Sequence, residues 1–206
     1  SLYYLIKQLD KDRFRPIVLC SRDGELAEKM RSVGADVVFL TIGRIRHLNP
    51  LVIKKLVSII KDKKISLIHT DSPTETFYGG IAAWIARIPL VWHIRVNERE
   101  WFLDSVLSSL SARLILVADA LRSRFSWLEN TEKMVTIHNA VDLDEFDSSQ
   151  EDSSVRKEFG IDDLTILLAS VGRIEEQKGQ EYLIRAMKNV DDSKLVLIGR
   201  GEEPYI

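Results

Sequence analysis

The chain has 206 residues, of which 45% are hydrophobic and 29% are charged, and its formal net charge is −2. This balance is ordinary for a globular protein of one large domain or two small ones. The single cysteine, Cys20, excludes an internal disulfide framework and favours a cytoplasmic protein. No apolar run reaches the roughly 18 residues of a membrane span.

Short apolar runs alternate with helical patterns along the first 142 residues. The runs predict strands at 17–20, 37–40, 67–70, 90–94, 114–117 and 135–137, and the helical patterns lie at 24–33, 50–63, 74–86, 98–111 and 119–128. Because the runs do not alternate with polar residues, we expect strands buried on both faces. The order predicts an α/β fold, a Rossmann-like parallel sheet with right-handed crossovers. Asp119 is suited to cap the last helix.

The helix predicted at 50–63 is amphipathic and basic. Asn49 and Pro50 suit its cap and first turn, while Val52, Leu56 and Ile60 recur at helical spacing. The basic residues between positions 44 and 64 are Arg44, Arg46, Lys54, Lys55, Lys61, Lys63 and Lys64. This pattern favours either a solvated helix face or peripheral membrane contact through Arg44–Lys64, at the inner face of the membrane. No aromatic interleaving supports a nucleic-acid partner.

The chain changes character after residue 142. Residues 1–142 carry a net charge of +5, which indicates an N-terminal domain with its own surface, and residues 143–206 carry −7. The acidic, serine-rich residues 143–163 predict a linker with one short helix at 153–159. A strand at 165–171, a helix at 179–189 and a strand at 194–198 predict the first βαβ unit of a second domain over 164–206. We expect a fragment at both ends, since the sequence opens at Ser1 inside a predicted helix and stops at Ile206 with a second part too small for its own core.

Two cations flank a glycine-hinged turn in VGRIEEQKG, residues 171–179. Gly172 and Arg173 follow a strand, and Lys178 and Gly179 precede a helix, at the sheet edge where ligands bind in open α/β folds. Glycine lets a ligand approach the backbone, and the helix start and the cations attract an anion. The turn therefore predicts a diphosphate site, with a solvated surface turn as the alternative.

Gly199-Arg200-Gly201 ends the next strand, so we expect it beside the first turn. Its paired glycines are compatible with a phosphate or ribose, or with an ordinary turn. His93 ends the strand at 90–94, where a histidine can hydrogen-bond a substrate hydroxyl or transfer a proton, although a lone histidine is more often structural. Arg95 and Glu98 are candidates for the same pocket.

The turn His138-Asn139-Ala140-Val141-Asp142 follows the last strand of the N-terminal domain. Asparagine tolerates a left-handed backbone, so a turn between domains is expected there.

Taken together, the chain resembles the group 1 family of retaining glycosyltransferases with the GT-B fold. The matching stretches are LIHTDSPTETFYGGIAAWIARIPLVWHIRV, TIHNAVDLDEF, VGRIEEQKGQEYLIRAM and LVLIGRG. The resemblance implies two Rossmann-like domains and a nucleotide-diphosphate sugar bound chiefly to the second, with Arg173 and Lys178 on its diphosphate and no metal ion. It places His93 near the donor sugar and Asn139 and Asp142 in the connection between domains. Transfer would proceed with retention, without a protein nucleophile.

The resemblance also implies features that this sequence does not show. The family begins with a strand and a Gly-rich loop, carries a glutamate pair later in the second domain, and has glycine where this chain has Ala140. We therefore expect the 206 residues alone to have little or no transferase activity. The expected function is transfer of a sugar to a glycan, lipid or small-molecule acceptor, in cell-surface polysaccharide or glycolipid synthesis. The alternatives are a GT-B sugar-nucleotide epimerase and a non-catalytic nucleotide-sugar-binding partner.

Overall fold

The computed structural model describes residues 2–43, 45, 48–146 and 154–201. The chain divides into two compact units, Ser1–Glu145 and Phe146–Ile206. Part of the predicted linker, with the predicted helix start at 153, lies outside the described residues, as do Arg44 and Arg46 of the basic segment. None of the helices described is long and apolar enough to cross a bilayer.

The first unit alternates helices and strands from end to end. Its elements are α1 (Leu2–Gln8), β1 (Ile17–Cys20), α2 (Glu25–Ser32), β2 (Asp36–Phe39), α3 (Pro50–Asp62), β3 (Ile68–Thr70), α4 (Pro73–Ala86), β4 (Leu90–Ile94), α5 (Trp101–Leu110), β5 (Arg113–Leu116), two 3₁₀ helices (Asp119–Phe125 and Thr131–Lys133) and β6 (Met134–Thr136). All six strands lie within one or two residues of their predicted positions.

Every strand pair in the first unit is parallel. β1 pairs with β2, and β3, β4, β5 and β6 form a second sheet in that order. Helices connect consecutive parallel strands, as such pairs require. The predicted parallel α/β class is confirmed.

The second unit is small and parallel as well. It contains α6 (Ser154–Glu158), β7 (Ile166–Val171), a 3₁₀ helix (Glu176–Lys178), α7 (Gln180–Ala186), a second 3₁₀ helix (Met187–Asn189) and β8 (Ser193–Ile198). β7 and β8 pair in register from Ile166 with Ser193 to Val171 with Ile198.

Two apolar clusters stabilise the four-stranded sheet. One surrounds β4 and β5 and includes Trp92, Leu107, Leu116 and Phe125, with Trp92 and Phe125 edge to face at 5.8 Å. The other packs Val52, Leu56 and Ile60 of α3 against α4. Burial of each such side chain contributes about 1.5–3 kcal/mol. The predicted apolar stripe of α3 therefore faces the core, while Lys54 and Lys55 are exposed.

Local signals explain where α3 and α4 begin. The Asn49 side chain accepts a hydrogen bond from the Leu51 amide at 3.0 Å, with Pro50 in the first turn of α3, as predicted. Ser72 and Pro73 do the same for α4. The cap predicted at Asp119 is wrong, because Ala118 occupies the cap position of a 3₁₀ helix and Asp119 accepts from the Thr136 hydroxyl at 2.6 Å.

The prediction that strands are buried on both faces is wrong for several of them. In β4, buried Leu90, Trp92 and Ile94 alternate with partly exposed residues. β2, β7 and β8 contain only exposed and partly exposed residues. Uniformly apolar sequence therefore does not distinguish a strand covered on one face from a strand covered on two.

Two strand ends of the second unit approach so closely that only glycine fits at residue 199. The Gly172 amide donates to the Ile198 carbonyl at 2.9 Å. A Cβ atom built on Gly199 would lie 1.7 Å from the Gly172 carbonyl oxygen, whereas a Cβ on Gly172 meets nothing within 4 Å.

We expect Gly199→Ala to destabilise the β7–β8 pair by at least about 2 kcal/mol, because backbone must move to admit the methyl group. Gly172→Ala is the matched control and should cost much less. Hydrogen exchange of the β7 and β8 amides measures both. Equal protection in the two variants would contradict the close approach.

Candidate functional site

A cavity of about 510 Å³ lies in the first unit, at the carboxyl ends of β4 and β6. It is lined by His93 of β4 and Arg95 just after β4, by residues 137–144 after β6, and by four residues of α1. Carboxyl ends of parallel strands are where α/β folds bind ligands. The structure thus brings two of the predicted strand-end sites, at His93 and at His138–Asp142, into one place.

His93 is held as a neutral imidazole. Burial lowers its pKa to about 4, helped by the positive charge of Arg95 and by His69, whose ring centroid is 5.4 Å away. Desolvation disfavours the charged form of a histidine, so His93 is uncharged at neutral pH. Its Nε2 atom has no hydrogen-bond partner among the described residues. A neutral ring with an unpartnered nitrogen is suited to hydrogen-bonding a ligand hydroxyl.

Arg95 is fixed beside His93 by an ion pair between strands. Its Nη2 lies 3.3 Å from the Asp71 carboxylate. Thr70 pairs with Trp92 in the parallel register, so Asp71 follows directly beside His93. Arg95 lines the cavity, whereas Glu98, the other candidate for this pocket, is not among its lining residues.

Helix α1 forms one wall of the cavity and is tied to the segment after β6. Lys7 Nζ donates to the Asp142 carboxylate at 2.8 Å, and the Tyr4 hydroxyl donates to Glu145 at 2.8 Å. The Lys7 ammonium lowers the pKa of Asp142. Sequence analysis missed Lys7 and Tyr4, since nothing local links residues about 135 positions apart in the chain.

The turn after β6 is anchored at its first residue. His138 Nδ1 lies 3.2 Å from the Val117 carbonyl oxygen, across the neighbouring strand end. Asn139 and Ala140 follow it, and both line the cavity.

In the second unit, the two glycine-containing turns lie side by side. The Ile174 amide donates to the Arg200 carbonyl at 2.9 Å, and Ile174 and Gly201 form a parallel bridge. With the Gly172–Ile198 bond, this places Gly172 and Arg173 next to Gly199 and Gly201. Two strand ends lined with glycine leave backbone open to a ligand.

The cations of this edge are exposed. The Arg173 side chain is 72% exposed, and its Nη2 lies 3.0 Å from a Glu175 oxygen, an ion pair without hydrogen-bond alignment. Lys178 ends a short 3₁₀ helix and is exposed. Gly179 has φ 67°, in the left-handed region that favours glycine, so α7 begins at Gln180 rather than at 179.

Gln180 is a site residue that sequence analysis missed. It is only 5% exposed, and its Nε2 donates to the Arg173 carbonyl at 2.7 Å. This bond joins the start of α7 to the turn that carries Arg173. The sequence shows only that a polar residue, Gln180, directly follows Lys178 and Gly179. Whether its side chain is buried depends on the folded turn.

Among the described residues, no group of three or more His, Cys, Asp or Glu side chains is placed to hold a metal ion. Metal-independence of the reaction stays a prediction. Arg173 and Lys178 of the second unit are cations, and cations suit an anionic ligand.

Comparison with known proteins identifies the family to which the sequence belongs. Residues 1–145 match the profile of Glycosyltransferase Family 4. The chain is 29% identical over 170 residues to an uncharacterized glycosyltransferase of Methanocaldococcus jannaschii, covering 72% of this chain and 44% of that protein. It is 23% identical over 223 positions to the UDP-Gal:alpha-D-GlcNAc-diphosphoundecaprenol alpha-1,3-galactosyltransferase of Escherichia coli, covering 94% of this chain and 56% of that protein.

Among solved structures, HepE of Anabaena in complex with UDP-glucose has a TM-score of 0.78 and 23% identity, covering 99% of this chain and 58% of that chain. This likeness shows a shared fold, of the GT-B type. The chain spans about half the length of the curated relatives it matches.

We expect the free energy of unfolding to fall as the pH is lowered from about 6.5 to 4, because the unfolded chain binds a proton that folded His93 refuses. The contribution of His93 to the free energy of unfolding is complete above pH 6.5, and it stops changing with pH below pH 4. His93→Gln should remove part of the slope in urea titrations, while buried His69 retains its own share.

The control is His138→Gln, which alters an exposed histidine of the same cavity. A slope unchanged by His93→Gln would contradict the buried neutral imidazole.

Proposed function

The chain belongs to glycosyltransferase family 4, and from this membership we propose that the whole protein transfers a sugar from a UDP-sugar to an acceptor hydroxyl with retention. The observation that supports the proposal most is the edge where Gly172 and Arg173 lie beside Gly199 and Gly201. Glycine backbone and nearby cations together suit a diphosphate.

Arg173 and Lys178 stabilise the departing nucleotide diphosphate in this proposal. Negative charge develops on that group as the glycosidic bond breaks, and fixed cations lower the barrier. The Arg173 side chain is 72% exposed, and the Glu175 oxygen beside it accepts no hydrogen bond, so the guanidinium keeps its N–H donors for a diphosphate. Two side-chain cations supply the charge that a metal ion would otherwise supply. A Cβ atom on Gly172 would meet nothing within 4 Å, so this glycine leaves room for the donor at the backbone, whereas Gly199 is required by its close contact with Gly172.

His93 hydrogen-bonds a hydroxyl of the transferred sugar in this proposal. A neutral imidazole keeps both a donor and an acceptor nitrogen, whereas an imidazolium only donates. Asn139 lines the same cavity and offers an amide. Asp142 is engaged by Lys7, so its role is to hold the connecting segment against α1.

The proposed classes of sugar donor and acceptor are inferred from the similar proteins. HepE was solved with UDP-glucose, and the Escherichia coli relative uses UDP-Gal and a diphosphoundecaprenol-linked sugar. We infer a UDP-sugar donor and a glycan or lipid acceptor, in cell-surface polysaccharide or glycolipid synthesis. Peripheral membrane contact through Arg44–Lys64 would have to use the outward lysines of α3, since its apolar stripe is buried.

In the full-length enzyme, Arg173→Ala or Lys178→Ala should lower kcat about 100-fold, corresponding to about 3 kcal/mol of lost charge stabilisation. Steady-state assays with UDP-sugars measure this. The matched control is Arg185→Ala, which removes an exposed arginine paired with Glu181 on α7 and should leave kcat unchanged. Wild-type kinetics in the Arg173→Ala enzyme would remove the basis of the assignment.

A thermal-shift screen of UDP-, GDP- and ADP-sugars on the full-length protein tests the donor class. A ligand that binds only the folded state raises the melting temperature. At a ligand concentration 100 times Kd, it adds about 2.7 kcal/mol to the free energy of unfolding. We expect the UDP-sugars to give the largest shift, and Arg173→Ala to reduce it. A larger shift with GDP- or ADP-sugars would refute the UDP assignment.

A further inference from the structure

A buried ion pair in the first unit joins α5 to the 3₁₀ helix Asp119–Phe125. Arg124, in the 3₁₀ helix Asp119–Phe125, donates from Nε to one oxygen of Asp104 at 2.9 Å and from Nη2 to the other at 2.5 Å. The two side chains are only 3% and 1% exposed. This is a bidentate pair, the strongest arrangement of these groups.

The same guanidinium makes a third hydrogen bond, to the turn that follows β4. Its Nη1 donates to the Val96 carbonyl at 2.8 Å. Its Cζ lies 5.6 Å from the ring centroid of Trp92 in β4 and 5.4 Å from that of Phe125. Arg124 thus joins α5, β4, the turn after β4 and its own helix at one point.

Stability alone does not account for this pair. Moving two charges out of water costs several kcal/mol per ion, and apolar residues of similar volume often stabilise a core as well or better. What apolar residues cannot supply is a donor for the Val96 carbonyl. Val96 directly follows Arg95, which lines the cavity, and lies three residues after His93.

We propose that Arg124 is a positioning residue, which with Asp104 holds the turn after β4 so that Arg95 and His93 keep their places at the cavity. This rests on the proposed function only in naming the cavity as a sugar site. The groups that face His93 are Arg95 just after its own strand, His69 on β3 and Asp71 just after β3. Without the Val96 anchor, residues 95–100 move more freely, Arg95 moves away and water reaches the imidazole.

The test uses the 206-residue chain and NMR titration of His93, with its resonances assigned by His93→Gln. The first variant, Arg124→Met with Asp104→Leu, removes both charges and keeps an apolar core. We expect the pKa of His93 to rise from about 4 by about one unit or more, toward the ordinary value of about 6.5. The backbone of residues 95–100 should become more mobile, seen as lower NMR order parameters, because the Val96 carbonyl loses its anchor.

The second variant, Arg124→Lys, keeps a charge for Asp104 but cannot bind both carboxylate oxygens and the Val96 carbonyl together. Arg124→Lys should shift both measurements in the same direction as the double variant. If the double variant does not fold, Arg124→Lys by itself tests the proposal. The control is Arg122→Lys, in the same 3₁₀ helix but exposed and paired with Asp119; it should leave both readouts at wild-type values.

A folded Arg124 variant whose His93 titration and 95–100 order parameters match the wild type would overturn the proposal. Neither measurement involves sugar transfer. If the full-length enzyme shows no transferase activity while the His93 shift is observed, the proposed function fails and the positioning role stands.

Discussion

Parallel pairing of neighbouring strands is the constraint on which the rest of each unit depends. Because all paired strands run the same way, their carboxyl ends meet at one edge of each sheet, and side chains far apart in the sequence become neighbours there. In the first unit this gathers Asp71, His93 and His138 at the ends of β3, β4 and β6. In the second it sets Gly172 beside Gly199.

Burial then gives the two edges different chemistry. His93 is desolvated and neutral, so it can only hydrogen-bond or exchange a proton. Arg173 is exposed, and the Glu175 oxygen beside it makes no hydrogen bond, so the guanidinium keeps N–H donors for an anion. A hydroxyl-rich group suits the first edge and a diphosphate the second.

Long-range polar contacts hold the flexible parts of these edges. Lys7 and Tyr4 tie α1 to the segment after β6, Gln180 ties α7 to the Arg173 turn, and Arg124 ties three elements to the turn after β4. Each donor bonds a carbonyl or carboxylate oxygen, and a buried carboxylate such as that of Asp104 is costly to leave unpaired. The site residues therefore depend on side chains that never touch a ligand themselves.

The sequence by itself determined the parallel α/β class, all eight strands to within one or two residues, and the chemical candidates at the strand ends. These follow from local pattern: apolar runs, glycine hinges, and caps such as Asn49 with Pro50. Only the tertiary structure decided that Asp119 does not cap its helix, that β2, β7 and β8 are exposed, and that His93 shares a cavity with Asn139 while Glu98 does not line it. The reason is physical: burial, the pKa of His93 and the partners of Arg124 are set by atoms brought close in space, and the spacing of residues along a chain carries no record of those distances.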